Sequence, residues 1–507
     1  MENVKLSNLY FGQPDGTVEA KHNLFEELFY DPNNKYEDLI TLQEKFMIIG
    51  SKGTGKTYLA NYIVKKVSEM KNNYAAILPT SNFVIDKLSC VGNMEIDDEL
   101  MIAVCKWYLL HSLAEQILKA HPYKAKFKVF RVYELKVYYS FFDGEDFFKL
   151  TTRNTSQEYE RKSGVDINGS KNANNISSSS KCSSSVNKKD NISYESIRKD
   201  FFEFIPTLEN KVLKSINPKE KFYVILDDLD DIDSTKFDRD KLIITLIKVA
   251  KEYNLQLLSN NCKFILLLRN DIIDDLQYKD ANLSKVKTSC SVELYWLNNM
   301  HESNQYNHPL MSMILHKIKA CCPQYSELSN KELFVKLFPD KIGNKNPVKY
   351  LLDYSFGRPR DFIIYLNAAR ELDGEATCFS SFLLKEASKK YSADFYDELV
   401  NQTAYYGKPE YTKECLQLVS SLKMTSFKYS HLKAYYEDNK NNFPNITNID
   451  DVLRYLYKLG VIGNSWTNRA QSKRFYTSWS YKKDSMNEID LDKKFIIHYG
   501  LKKKFSL

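Results

Sequence analysis

Residues 46–64 read Phe46-Met47-Ile48-Ile49-Gly50-Ser51-Lys52-Gly53-Thr54-Gly55-Lys56-Thr57-Tyr58-Leu59-Ala60-Asn61-Tyr62-Ile63-Val64, and this stretch decides the fold. Four apolar residues make a run of buried-strand length. Gly50 to Thr57 then fits G-x-x-x-x-G-K-[ST] at every fixed position. From Tyr58 onward, Leu59, Tyr62, Ile63 and Lys66 fall at helical spacing. Glycines let such a loop wrap a phosphate without a Cβ in the way, and the following helix N-terminus adds partial positive charge. Gly50, Gly53, Thr54 and Gly55 are therefore candidate phosphate contacts. Lys56 is expected to reach the β- and γ-phosphates, and the Thr57 hydroxyl to coordinate Mg²⁺.

Working outward, Tyr74–Leu78 reads as the next strand, and Glu99–Ala120 as a helix presenting Ile102, Cys105, Leu109, Leu113 and Ile117 on one face. Residues 121–160 are rich in Tyr and Phe but show no period. Phe222–Leu226 is an apolar run closed by Asp227 and Asp228. Carboxylates at the C-terminal end of a buried parallel strand lie where α/β sheets hold ligands. Asp227 is expected to hold Mg²⁺, and Asp228 to orient or deprotonate an attacking water. The competing reading is an acidic N-cap for a helix starting near Asp238. A second buried run, Lys263–Leu268, leads into Arg269-Asn270-Asp271. Arg269 and Asn270 are both candidates to sense a γ-phosphate, while Asp271 is also placed to cap a helix. Ser291–Trp296 reads as a fifth strand. No two-residue hairpin joins these runs, so the sheet is expected to be mainly parallel.

Before the loop, Leu24, Phe25, Leu28 and Phe29 form a helical stripe that suits either core packing or cover for a nucleotide base. Residues 163–191 are dominated by Ser, Asn and Lys and read as a disordered surface insertion. Further on, Gly357-Arg358-Pro359-Arg360 opens a helix with Phe362, Leu366 and Ala369 facing inward. Arg360 is a candidate γ-phosphate ligand, the other reading being an ion pair with Asp361 or Asp353. Arg358 is a further candidate. From about Lys413 the pattern changes to three helices and a hairpin, the third helix, Ile449–Leu459, ending on Gly460. That order reads as a winged helix. Its hairpin, Val461–Trp466 with Phe475–Trp479, carries Arg469, Lys473 and Arg474 beside Phe475, Tyr476 and Trp479, which suits a phosphate backbone. The third helix has only Arg454 and Lys458 as cations, which weighs against major-groove reading.

The 507 residues imply two or three domains: a core over 1–300, a helical lid over 301–400 and the winged helix over 401–507. Net charge is +7, and residues 401–507 hold 18 Lys/Arg against 10 Asp/Glu, so the excess sits there. A basic tail fits DNA or simply a solvated face. No apolar run approaches membrane-spanning length and the N-terminus lacks a secretory core. The nine cysteines include no C-x-x-C pair. A cytoplasmic protein with no membrane partner is expected.

Taken together, GSKGTGKT, VILDDLDD, LLLRND, FGRPRD and the winged-helix pattern resemble the AAA+/STAND branch of P-loop ATPases, in the prokaryotic forms of mobile-element and antiphage defence loci. The resemblance implies an α/β parallel-sheet core, ATP and Mg²⁺ as cofactors, nucleotide-controlled homo-oligomers and a lid arginine of the GRPR type. Two departures stand out: Asp228 occupies a position where many such enzymes carry Glu, and no effector motif is visible, so a separate effector protein is implied. Two functions follow as expectations, an ATP-hydrolysing defence switch or a DNA-binding initiator that loads other proteins.

Overall fold

The computed structural model describes residues 4–79, 97–142, 204–229, 238–258, 260–297, 302–404, 409–468, 474–483 and 488–507. The insertion read at 163–191 and the hairpin cations Arg469 and Lys473 lie outside these. The chain folds into two compact units. One comprises Tyr36–Ile49 and Ile63–Val292, the other Met1–Lys35, Gly50–Tyr62 and Glu293–Leu507.

The first unit is built on the expected parallel sheet. Its strands are β1 (Met47–Ile49), β2 (Asn73–Pro79), β3 (Lys221–Asp227), β4 (Cys262–Leu268) and β5 (Ser291–Glu293), in the order β2-β3-β4-β1-β5. The pairs β2–β3, β3–β4 and β1–β4 are parallel. Strands β3 and β4 are central, and every residue from Phe222 to Asp227 and from Cys262 to Leu268 is buried. Continuous Val/Ile/Leu/Phe runs are what a strand covered on both faces requires. Helix α1 (Lys56–Glu69) follows the glycine loop, and α2 (Asp98–Ala120) is capped by the Asp97 carboxylate, which accepts from Leu100 N at 2.9 Å. The face of α2 differs from the expected one in its first turn. Met101 and Cys105 are buried, whereas Ile102 is exposed. The aromatic stretch without a period holds a helix at Arg131–Phe142. The fifth strand stops at Glu293, three residues short of Trp296.

Lys263 is a surprise within β4. It is fully buried, and its ammonium donates to the carbonyls of Leu39 and, at 2.7 Å, Leu42, at the C-terminal end of the short helix Lys35–Thr41. A lysine there meets carbonyls that the helix itself leaves unpaired. Burial pushes its pKa down to about 7.

The second unit is mostly helical. Helices α3 (Pro309–Cys321), α4 (Asn330–Leu337), α5 (Pro347–Tyr354), α6 (Pro359–Leu372) and α7 (Ser381–Ala404) precede a mixed module. That module runs α8 (Pro409–Ser421), β6 (Ser426–Phe427), α9 (Tyr429–Asn439), α10 (Ile449–Lys458), β7 (Ile462–Asn468), β8 (Arg474–Ser478) and β9 (Lys494–Ile497). Three helices and a hairpin follow as the sequence expects, and the short strand β6 between the first two helices was not expected. The sheet adds something unforeseen. Its order is β6-β9-β7-β8, all antiparallel, so β9 from the chain's end separates β6 from the hairpin. One hydrophobic core runs through the unit, from Leu6 and Leu366 to Leu453 and Phe495. Gly460 closes α10 at φ +72°, where an added Cβ would lie 2.8 Å from the Phe356 ring. Among the described residues, no helix is long and apolar enough to cross a membrane.

Candidate functional site

The glycine loop is best read through its carbonyl groups. Six in succession, Gly50 to Gly55, each accept a hydrogen bond. The Lys56 ammonium donates to Gly50 O at 2.8 Å and to Ser51 O at 3.3 Å. Thr54 adds its hydroxyl to Ser51 O at 2.8 Å. The Arg358 guanidinium donates to Lys52 O at 2.8 Å, and the Arg360 N–H to Gly53 O at 3.3 Å. The Trp296 indole donates to Thr54 O at 3.0 Å, and Leu59 N to Gly55 O at 2.9 Å. A carbonyl oxygen facing a phosphate repels it, so a loop whose acceptors are engaged elsewhere is suited to an anion.

Local backbone geometry agrees. Gly53 and Gly55 have φ of +84° and +98°, angles that L side chains rarely adopt. At Gly53 an added Cβ would lie 3.0 Å from the Arg360 Cβ, and at Gly50 it would lie 2.4 Å from the Thr54 hydroxyl. Gly55 has open space in the Cβ direction. Thr57 continues into α1, where its carbonyl accepts from the Asn61 amide at 2.8 Å.

The two arginines of the GRPR turn do different work. Arg358 is buried and forms a bidentate pair with Asp361, Nε to Oδ2 at 3.0 Å and Nη2 to Oδ1 at 2.7 Å. Asp361 also accepts from Phe356 N at 3.0 Å. Burial works against the charge on Arg358, but Asp361 and Glu398 outweigh it, and its pKa is raised. Arg360 donates through Nε to Pro14 O at 3.0 Å and lies 3.4 Å from the Glu398 carboxylate. The ion pairs considered for Arg360 from sequence thus go elsewhere: Asp361 to Arg358, and Asp353 to Lys345 at 2.5 Å.

The first helical turn of α1 is braced from behind. Glu19 and Lys317 form a buried ion pair at 2.6 Å, and the Lys317 ammonium also lies 3.4 Å from the Tyr58 hydroxyl. An added Cβ at Gly16 would lie 2.9 Å from Tyr58 N. Phe29 stacks on Tyr62 at 3.6 Å between centroids, and Phe25 meets Tyr58 edge-on. The apolar stripe before the loop therefore packs against α1.

In the sheet unit, β1 and β4 run in register, Ile49 opposite Leu268. Asp227, at the end of β3, is buried, and its carboxylate accepts from Asp228 N at 2.9 Å. Asp228 is exposed, with φ +57°. The N-cap alternative for this acidic pair is not needed, because Asp238 caps the helix Arg239–Glu252 itself by accepting from Lys241 N at 3.0 Å. Arg269 is buried and forms a bidentate pair with Asp271, at 3.0 and 2.6 Å. Asp271 therefore serves Arg269. Asn270 opens the helix Asn270–Lys279, and Arg269 occupies its N-cap position without a side-chain cap.

Trp296, Glu398 and the Glu19–Lys317 pair were not singled out from sequence. Trp296 sits in a run that reads as strand, and the other three residues lie in helices without a motif.

Residues 308–400, which include both GRPR arginines and Glu398, match the family described as the FunZ-associated C-terminal helical domain. No functionally curated protein is similar to the chain in sequence. Among solved structures, the chain is similar to the ORC2 protein of Aeropyrum pernix in its ADPNP-ADP complexes, at 14% identity and TM-score 0.37, covering 94% of each chain. It is also similar to Cdc6p from Pyrobaculum aerophilum, at 10% identity and TM-score 0.29, covering 91% of this chain and 86% of that one. Alignments this loose leave the functional reading to the chain's own residues.

Proposed function

We propose that the protein is a Mg²⁺-dependent ATP-hydrolysing molecular switch. The observation that carries this reading is the set of six engaged carbonyls from Gly50 to Gly55, which suits the loop to a polyphosphate. Gly50, Gly53, Thr54 and Gly55 shape the cradle, and Lys56 exchanges its two carbonyl partners for phosphate oxygens. Mg²⁺ favours hard oxygen donors, and the Thr57 hydroxyl and Asp227 carboxylate are of that kind. When bound, it would neutralise phosphate charge. Asp228 orients or deprotonates the attacking water. Arg360 supplies positive charge near the loop, while Arg358 acts by holding the Lys52 carbonyl. Arg269 and Asn270 keep the γ-sensing role, Arg269 on condition that it leaves Asp271. An ATP switch of this kind acts on a separate effector, as homo-oligomers, in the antiphage setting that the sequence resemblance implies.

Turnover by the purified chain, with Lys56→Ala as blank, is the test. Lys56→Ala is expected to lose nucleotide binding, and Asp228→Asn to keep binding and lose turnover. Hydrolysis by Asp228→Asn at the wild-type rate would remove Asp228 from the reading.

A second reading, DNA loading, draws on the β7–β8 hairpin. Trp466 and Tyr476 stack there with rings 13° from parallel, Lys493 lies 4.2 Å over Trp466, and Phe475 is exposed. Aromatic faces with nearby cations suit nucleic acid. Against it, α10 begins with Asp450 and Asp451. Charge reversal at Lys473 and Arg474 is expected to weaken duplex binding and flatten its salt dependence if the hairpin contacts phosphate.

A further inference from the structure

Glu398 lies near the end of α7, 22% of the chain's length before its last residue, and yet it belongs to the loop's surroundings. Its carboxylate is 3.4 Å from Arg358 Nη1 and 3.4 Å from Arg360 Nη1, with a further contact of 3.5 Å to Arg358 Nη2. Burial pushes its pKa up, but Arg358, Arg360 and Lys52 outweigh that and leave it lowered, so the group is an anion among three cations.

The two arginines hold this anion unequally. Arg358 is committed at shorter range, to both oxygens of Asp361 and to Lys52 O at 2.8 Å. Arg360 is a quarter exposed, and its contact with Glu398 at 3.4 Å is long for a charge-assisted hydrogen bond. A guanidinium anchored through Nε on Pro14 O at 3.0 Å, with its own backbone N–H on the glycine loop, presents its terminal nitrogens to a stronger anion.

We propose that Glu398 is a specificity residue of the loop. Its carboxylate competes with the outermost phosphate of a nucleoside triphosphate for Arg360. It thereby sets how strongly the protein prefers triphosphate over diphosphate. This rests on the nucleotide reading of the loop. A diphosphate lacks the third phosphate and gains little from the release of Arg360. A triphosphate must displace Glu398, and removing that charge makes the exchange easier.

The test measures ATP and ADP affinity by calorimetry on the full chain, comparing wild type, Glu398→Gln, Arg360→Ala and the double variant, with Lys56→Ala as reference. Glu398→Gln is expected to raise the ATP-to-ADP affinity ratio by about tenfold, the size of an ordinary coupling between two charged sites. ADP affinity should move much less. In the Arg360→Ala background the same change should have no effect on the ratio. An unchanged or lowered ratio in Glu398→Gln overturns the proposal, as does a rise that persists without Arg360. Should Glu398→Gln fail to fold, Glu398→Asp withdraws the charge by one methylene and should raise the ratio by a smaller factor, again only with Arg360 present. Failure of the underlying reading looks different: wild type binds neither nucleotide, or Lys56→Ala binds both as well as wild type does, and either result overturns the proposal too.

Discussion

After β1 and after β3 the chain must leave a buried strand and turn sharply, and it solves this in two ways. Beyond β1 the positive φ angles fall on Gly53 and Gly55, and the turn is braced by side chains distant in sequence: Trp296, Arg358 and Arg360 on the loop itself, and Glu19 with Lys317 behind α1. Beyond β3 the positive φ falls on an acid, Asp228, whose N–H donates to its neighbour's carboxylate. Arg269, beyond β4, likewise pairs with a near neighbour, Asp271, two residues along. The loop thus depends on distant residues of its unit for its shape, whereas at the strand tips neighbours in sequence hold one another. Substitutions in the loop's braces should be costly and long-range in effect, and those at the tips cheap for the fold and severe for chemistry.

The sharpest way to break this comparison is Arg358→Ala. It strands the Asp361 carboxylate in a buried site and frees the Lys52 carbonyl. Removing one partner of a buried pair costs about 3–5 kcal/mol. Denaturant unfolding should show that loss, against about 1–3 kcal/mol for Asp271→Asn, whose partly exposed side chain keeps one acceptor oxygen for the buried Arg269. Equal costs would mean that the loop is no more dependent on distant residues than the tips are.

Glu19→Gln comes next. It keeps the shape of the side chain and removes the charge facing Lys317, whose pKa burial already pushes down while Glu19 pushes it back up. A cost of about 3 kcal/mol is expected at neutral pH. Lys317→Met combined with Glu19→Gln should recover most of it, because two uncharged groups leave no unpaired ion. A double variant no better than the single one would place the loss in the Tyr58 contact instead.

Acid tests the same unit through two neutral histidines. His498 is buried between Phe395 and Phe356; its Nδ1 accepts from Gly500 N, which leaves Nε2–H to donate to Tyr481. His308 accepts from Leu310 N at the start of α3. Burial pushes their pKa values down, to about 3 and about 4. The unfolded chain takes up these protons near the ordinary value of ~6.5 and the folded chain does not, so stability is full above that pH and falls as pH drops toward 4. Each histidine should remove about 1.4 kcal/mol per pH unit in that window. Thermal melts at pH 7.5 and 5 should show a smaller gap for His498→Gln than for wild type.

These contrasts also explain what could be read in the sequence. GSKGTGKT, the acids after β3 and the GRPR turn are local spacings, and local spacing is visible in one chain. The braces are not. Trp296 reaches Thr54 across 242 positions, and its run SVELYW carries the apolar pattern of a strand, which in fact ends at Glu293 once the indole turns to the loop. Glu398 sits in α7, a helix without a motif. Strand β9 pairs with both β6 and β7 from 68 and 32 positions further along, a register no turn residue signals. The GRPR turn was legible as a helix start carrying two arginines, but not the division of labour within it, because only folding gives Asp361 and the Lys52 carbonyl to Arg358 and the Pro14 carbonyl to Arg360.

Asp228→Gly has the smallest expected effect on the fold and the most telling. A non-glycine residue at φ +57° costs about 1 kcal/mol or a little more, and glycine adopts the angle without that cost. Glycine also widens the unfolded ensemble, which offsets part of the gain. The variant should therefore be as stable as wild type or up to about 1 kcal/mol more stable. Aspartate is among the few side chains that tolerate this angle, so backbone shape alone does not tell whether the acid is there for the turn or for chemistry. If the acid is kept for chemistry, Asp228→Gly should lose ATP turnover while binding nucleotide and melting no lower than wild type. A variant that melts lower and still turns over would make Asp228 a structural residue of the tip, and the contrast between a turn built for its backbone and a turn built for its side chain would no longer hold.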